Sequence, residues 1–154
     1  MKIGPFSVIS ANVEIGDDCE IGNHVTIRNN TFIGNKCKIF HCASIGEIPQ
    51  DLKFCGEKTI TIIGDNTVIR EYVTVNRGTD ALKKTEIGSN VLIMASCHIA
   101  HDCIVGDNVI MSNLSTLGGH VNIGNWAVLG GGVLVHQFSK IGEHCFIGGG
   151  FRVV

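Results

Sequence analysis

A single all-β domain of stacked short strands follows from three features of the 154-residue sequence. An aliphatic residue recurs every six positions, a glycine often follows it, and a small side chain often stands two residues before it. The aliphatic column runs by sixes from Ile3 through Ile45, resumes at Ile63, Ile69 and Val75, and continues from Ile87 to Val153. Only Asp51, Glu57 and Ala81 break it. Six residues are too few for a helix and a turn but suit one short strand and a corner. Three such units complete a triangular coil of 18 residues. Coils then stack at the inter-strand spacing of ~4.8 Å, with like residues in columns along the axis. The glycines, Gly4, Gly16 and Gly22 onward, are expected to supply corner conformations that a Cβ would penalise.

Taken in order, residues 3 to 46 read as regular coils. The segment 47–60 (EIPQDLKFCGEKTI) carries Pro49 and mixed charges and is expected to leave the prism as a loop. Residues 61–75 return to the rhythm, and 76–86 (NRGTDALKKTE) form a second polar excursion. From Ile87 to the end the pattern is unbroken, so residues 1–154 make one domain. Long loops on a regular solenoid are where function usually sits. The open ends and flat faces of such a prism call for self-association.

Composition removes several classes of function. A formal net charge of −2, without a long Lys/Arg run, lacks the electrostatic footprint of nucleic-acid binding. The start has no apolar h-region, and no stretch approaches ~20 unbroken apolar residues, so neither a secretion signal nor an integral membrane segment is expected. Of the 7 cysteines, Cys19, Cys37, Cys55, Cys97, Cys103 and Cys145 fall in the small inward phase and read as buried free thiols in a reducing compartment.

Column arithmetic also sorts the 7 histidines. With 18 residues per coil, His101, Gly119 and Gln137 stack in one column, Asp102 stacks with His120, and Gly118 with His136. His24, His41 and His144 have no such company and read as solvated corner residues. A neutral histidine with a pKa near ~6.5 suits proton removal from an alcohol, worth ~10²–10⁴ in rate. A backbone N–H at Gly119 could meet a developing oxyanion. Base plus oxyanion donor indicates acyl transfer, and the absence of a GxSxG elbow indicates transfer without a covalent enzyme intermediate. Two alternatives stand beside this reading. One is a zinc site of His98, His101 and His120, of the γ-class carbonic anhydrase type, and the other is an inactive scaffold.

The stretches SIGEIPQDLKF, IREYVTVNRGT, CHIAHDCIVGDN, LGGHVNIG and VLVHQF, in this order, resemble the acyl-ACP:UDP-N-acetylglucosamine O-acyltransferases of lipid A biosynthesis. The resemblance spans nearly the whole chain. It implies a left-handed β-helix, a homotrimer with sites between subunits, a cytoplasmic location in a Gram-negative-type bacterium, and no cofactor or metal. The implied reaction moves an (R)-3-hydroxyacyl chain from acyl carrier protein to the 3-hydroxyl of UDP-N-acetylglucosamine. Carried over residue by residue, His101 is the general base, Asp102 its orienter and Gly119 the oxyanion donor. His98, His120, His136 and Gln137 would line the nucleotide-sugar pocket, with Asp51 and Lys53 reaching in from the adjoining chain. Phe146 and Gly149 fall where the family measures acyl length, and Arg70, Arg77, Lys83 and Lys84 are candidate contacts for the acidic carrier. The resemblance further implies another coil before IGPF and further coils and a helical region after FRVV.

Overall fold

The computed structural model describes residues 1–154 and contains 23 short strands and no helix. Successive strands rotate through three sheets. The first sheet begins with Lys2–Ile3, the second with Val8–Ile9 and the third with Glu14–Ile15, and each strand pairs with the one three places on. Pairing is parallel, and it joins like positions of the repeat, as in Ile3 with Ile21 and Ile9 with Ile27. The chain is a three-sided parallel β-helix, as the six-residue period predicts.

The two inward columns fill the prism. Ile27, Ile39, Ile45, Ile69, Ile93, Ile99, Met111, Leu117 and Leu129 are fully buried, each contributing about 1.5–3 kcal/mol relative to an exposed side chain. Cys19, Cys37, Cys97 and Cys103 occupy the small inward column and are buried. Burial pushes the Cys37 and Cys97 thiols up to about 11, so they pack as small neutral groups. Cys55 is a correction: it keeps the phase of the column but is exposed, because the chain has left the prism there.

The corners also differ from expectation. Of the glycines that follow the aliphatic column, only Gly46 has a positive φ. The left-handed conformation falls instead on every sixth residue from Phe6 to Cys42, on Asn66 and Tyr72, and on every sixth residue from Asn90 to Gly150. Most of these are not glycine, and a left-handed non-glycine residue costs on the order of 1 kcal/mol. The repeat absorbs that cost because each corner is fixed on both sides by sheet hydrogen bonds. The glycine column has a different cause, namely close approach between coils. A Cβ on Gly130 would lie 2.5 Å from the Gly149 nitrogen of the next coil.

Both excursions replace whole hexads. Ser44 pairs with Thr74 thirty residues on, and Thr74 with His98 twenty-four on. The two coils are therefore 12 and 6 residues longer than a regular one, and the phase survives. The loops are shorter than the sequence suggests. Glu47 and Ile60 end strands, Asn76 belongs to the strand Thr74–Asn76, and residues 84–86 belong to Lys84–Ile87, which pairs with Ile60–Ile63. The loops proper are 48–59 and 77–83. Arg28 pairs with Glu47 at 2.7 Å, the Arg77 N–H donates to the Glu47 carbonyl, and the Arg77 guanidinium covers the Phe54 ring, so the two loops are held together.

Candidate active site

Both loops leave the prism at the corner between the second and third sheets, and His101, Asp102, Gly119, His120 and Gln137 lie on that same corner. Asp102 is at its centre. It has φ 59° and is 1% exposed. Its Oδ1 accepts the N–H groups of Thr79 (3.0 Å) and Leu82 (3.2 Å). Its Oδ2 accepts the Thr79 hydroxyl (2.5 Å) and stands 2.8 Å from His101 Nδ1. Burial raises the pKa of this carboxyl, but the hydrogen bonds from Thr79 and His101 outweigh burial and hold it below the ordinary value. A carboxylate can only accept, so the proton of the His101 contact belongs to Nδ1 and Nε2 carries the free lone pair.

The face of the imidazole packs against Gly119. A Cβ at Gly119 would lie 2.6 Å from His101 Cε1 and 2.7 Å from Nε2, so only glycine leaves the ring its space. Gly119 is buried, and its N–H donates to no group of the chain. A buried N–H without an acceptor is uncommon, and this one is available to an oxyanion.

His120 completes the wall. Its ring stacks on Phe138 at 4.5 Å and meets the His101 ring edge-on at 5.1 Å. Its Nε2 stands 3.7 Å from Asp102 Oδ2, beyond hydrogen-bond reach, so the carboxylate orients the His101 ring and not that of His120. Asp51, Lys53, Glu57, Thr79, Asp80, Ala81 and His120 line a cleft of about 270 Å³. Asp51 and Lys53 thus share a cleft with His120 of their own chain.

The remaining sequence-selected residues are less tightly gathered. His98 stands one strand before His101, with Nδ1 2.7 Å from the Thr74 hydroxyl. Burial, and then the nearby His101, lower its pKa. His136 and Gln137 are exposed, and His136 Nδ1 donates to the Gln137 carbonyl at 3.1 Å. Phe146 is 73% exposed on the outer face of the first sheet, and Gly149 lies on the corner between the first and second sheets. Both are away from the His101 corner. Arg70 pairs with Glu71, Lys83 with Asp80 and Lys84 with Glu86. The donors that converge closely enough to hold a metal are His101, Asp102 and His120, without the His98 of the zinc alternative. A metal on Asp102 would have to displace one of its four donors.

Thr79 and Leu82 were not singled out by the sequence. The signal was indirect: the 24-residue step that joins Thr74 to His98, counted onward past the strand, brings Gly78, the neighbour of Thr79, to the level of Asp102.

Comparison with known proteins agrees with this architecture. The bacterial transferase hexapeptide (six repeats) family model matches residues 2–29 and 84–119. The acyl-acyl-carrier-protein–UDP-N-acetylglucosamine O-acyltransferase of Campylobacter concisus is 44% identical over 157 residues, covering 96% of this chain and 59% of the relative. The UDP-N-acetylglucosamine acyltransferase structure from Francisella novicida superposes with a TM-score of 0.97 at 43% identity, covering 98% of this chain and 55% of that one. The UDP-N-acetylglucosamine O-acyltransferase structure from Moraxella catarrhalis gives 0.80 at 38% identity, covering 100% of this chain and 67% of that one. The chain therefore spans little more than half the length of the curated relative, and the shared fold is the left-handed parallel β-helix.

Proposed function

The chain belongs to the UDP-N-acetylglucosamine O-acyltransferase family, and from that premise we propose that it forms the β-helical catalytic part of an enzyme moving an (R)-3-hydroxyacyl chain from acyl carrier protein to the sugar 3-hydroxyl. The observation that carries this reading is the His101–Asp102 pair, with Nδ1 committed to the carboxylate, Nε2 left without a partner in the chain, and the ring packed against Gly119. In the proposed step His101 Nε2 takes the 3-hydroxyl proton as the oxygen attacks the thioester carbonyl. The oxyanion forms against the Gly119 N–H. On collapse the C–S bond breaks, and the imidazolium returns the proton to the carrier's thiolate. Asp102 stays anionic throughout, fixing the tautomer and stabilising the transient imidazolium. His98, His120, His136 and Gln137 hold the nucleotide sugar, with Asp51 and Lys53 closing over it.

An outer column on the first sheet supports a homotrimer. Val68, Leu92, Ile110 and Val128 are half-buried and stack toward the exposed Phe146, a continuous apolar stripe of the kind that seats a partner. Phe146 and Gly149 lie across the prism from His101, so they measure the acyl chain held at the base of a neighbouring copy. The reaction needs substrates of the cytoplasm, and no helix is long and apolar enough to cross a membrane.

The test is an acyl-transfer assay with 3-hydroxyacyl carrier protein and UDP-N-acetylglucosamine, with and without EDTA. Transfer is expected to be equal in both tubes and to fall ~10²-fold or more in His101→Ala. A variant within tenfold of the parent rejects the base. In the same assay Gly149→Met shortens the preferred acyl chain, and an unchanged length profile rejects the ruler.

A further inference from the structure

We propose that Thr79, through its hydroxyl, is the positioning residue that aims the Asp102 carboxylate at His101. This rests on the reading of His101 as the base.

A carboxylate offers about four lone-pair positions. At Asp102 all four are used: two by the N–H groups of Thr79 and Leu82 on Oδ1, one by the Thr79 hydroxyl and one by His101 Nδ1 on Oδ2. Thr79 alone touches both oxygens, so it fixes the rotation of the carboxylate and not merely its place. The Asp102 N–H is held by the Thr85 hydroxyl at 2.9 Å, which ties the main chain from the other side. Thr79 is itself held rigidly. It is buried, its carbonyl accepts the Lys83 N–H, and its Oγ1 accepts the Ala81 N–H. The next two residues, Asp80 and Ala81, line the cleft beside His120. One tight turn thus joins the cleft wall to the carboxylate that sets the base.

The other ionisable groups against this pair are His120, His98 and Cys103. Burial pushes the Cys103 thiol up to about 12, so it stays neutral at working pH. The cleft adds Asp51, Lys53, Glu57 and Asp80. None of these groups is altered when the Thr79 hydroxyl alone is removed.

Thr79→Val deletes the hydroxyl and keeps both the shape and the N–H bond to Oδ1. Released from its second donor, Oδ2 is more basic and stabilises the charge of the imidazolium more, while the carboxylate, no longer fixed in rotation, holds the ring less sharply in place. The acid limb of the kcat/KM profile therefore moves to higher pH, and kcat falls roughly tenfold to a hundredfold as the ring loses its orientation. KM changes little, and Thr79→Ser restores both the rate and the profile. ¹⁵N NMR of the imidazoles reads the same effect without substrate. The parent and Thr79→Ser keep His101 as the Nδ1–H tautomer, while Thr79→Val shows a raised His101 pKa. An unchanged His101 titration in a folded Thr79→Val chain overturns the proposal, as does a kcat within twofold of the parent while His101→Ala is inactive. If His101→Ala is active, the catalytic reading fails and the NMR titration still decides the role of Thr79. Thr79→Ala, with the same expectations, serves if the valine does not fold.

Discussion

The turn from the third sheet to the first and the turn from the second to the third share one backbone. Each passes through a left-handed residue, such as Asp18, Asn66 and Asn108 on one corner and Asn30, Asp102 and His120 on the other. Their hydrogen bonding is opposite. On the third-to-first corner a ladder of short polar side chains caps the turn N–H groups from coil to coil. The Asp17 N–H donates to Asn35, Asn35 to Asp65, Asp65 to Ser89, Ser89 to Asp107 and Asp107 to Asn125, at 2.6–3.0 Å. On the second-to-third corner the equivalent position is held by His101, Gly119 and Gln137, and the Gly119 N–H is left open. The same turn is a fastener where the chain satisfies itself and a site where it does not. Loop 77–83 fastens Asp102 through the donors of Thr79 and Leu82, and together with loop 48–59 it lines the cleft beside His120.

Substitutions on the two corners should separate these roles. The largest effect is expected at Asp102→Asn, where an amide facing Nδ1 favours the wrong tautomer and transfer falls by about 10³-fold or more. The same variant changes acid stability. The folded-state pKa of Asp102 is depressed, so its contribution is present above the unfolded value of ~3.9 and is lost as pH falls through the folded value. Thermal melts from about pH 6 to pH 2 should fall more steeply for the parent than for Asp102→Asn, and parallel curves would contradict the assignment.

Next comes Gly119→Ala, whose methyl would press on His101 Nε2. Activity is expected to fall roughly tenfold to a hundredfold with little change in melting temperature. Full activity would remove the geometric basis for the open site. The smallest effect belongs to the fastener. Asp65→Ala removes the acceptor of the Asn35 N–H and side chain, costing about 1 kcal/mol, a melting shift of about 2–4 °C, and no change in kcat. If Asp65→Ala instead lowered kcat with an unchanged melt, the division between the two corners would fail.

The period of six was enough to lay out three parallel sheets, the inward columns, and the stacking of His101, Gly119 and Gln137, because parallel coils in register turn sequence spacing directly into position. It also located both excursions, whose lengths in whole hexads preserve the phase. It misjudged the glycines. The aliphatic–glycine pair is visible in sequence, but whether glycine serves torsion or clearance depends on how closely the next coil approaches. It also placed Cys55 in the core, since a column count carries on through a loop that the chain has already taken outside.

What the sequence determined by itself was everything that repeats: sheet count, register, core and the corner where the histidines gather. What only the tertiary structure decided was how that corner is completed. Thr79 and Leu82 reach Asp102 from a loop that obeys no period, and the lone pairs of one buried carboxylate are assigned by geometry in three dimensions. Burial makes each unfilled lone pair costly, so those four donors, and not the repeat, fix which nitrogen of His101 is free to act.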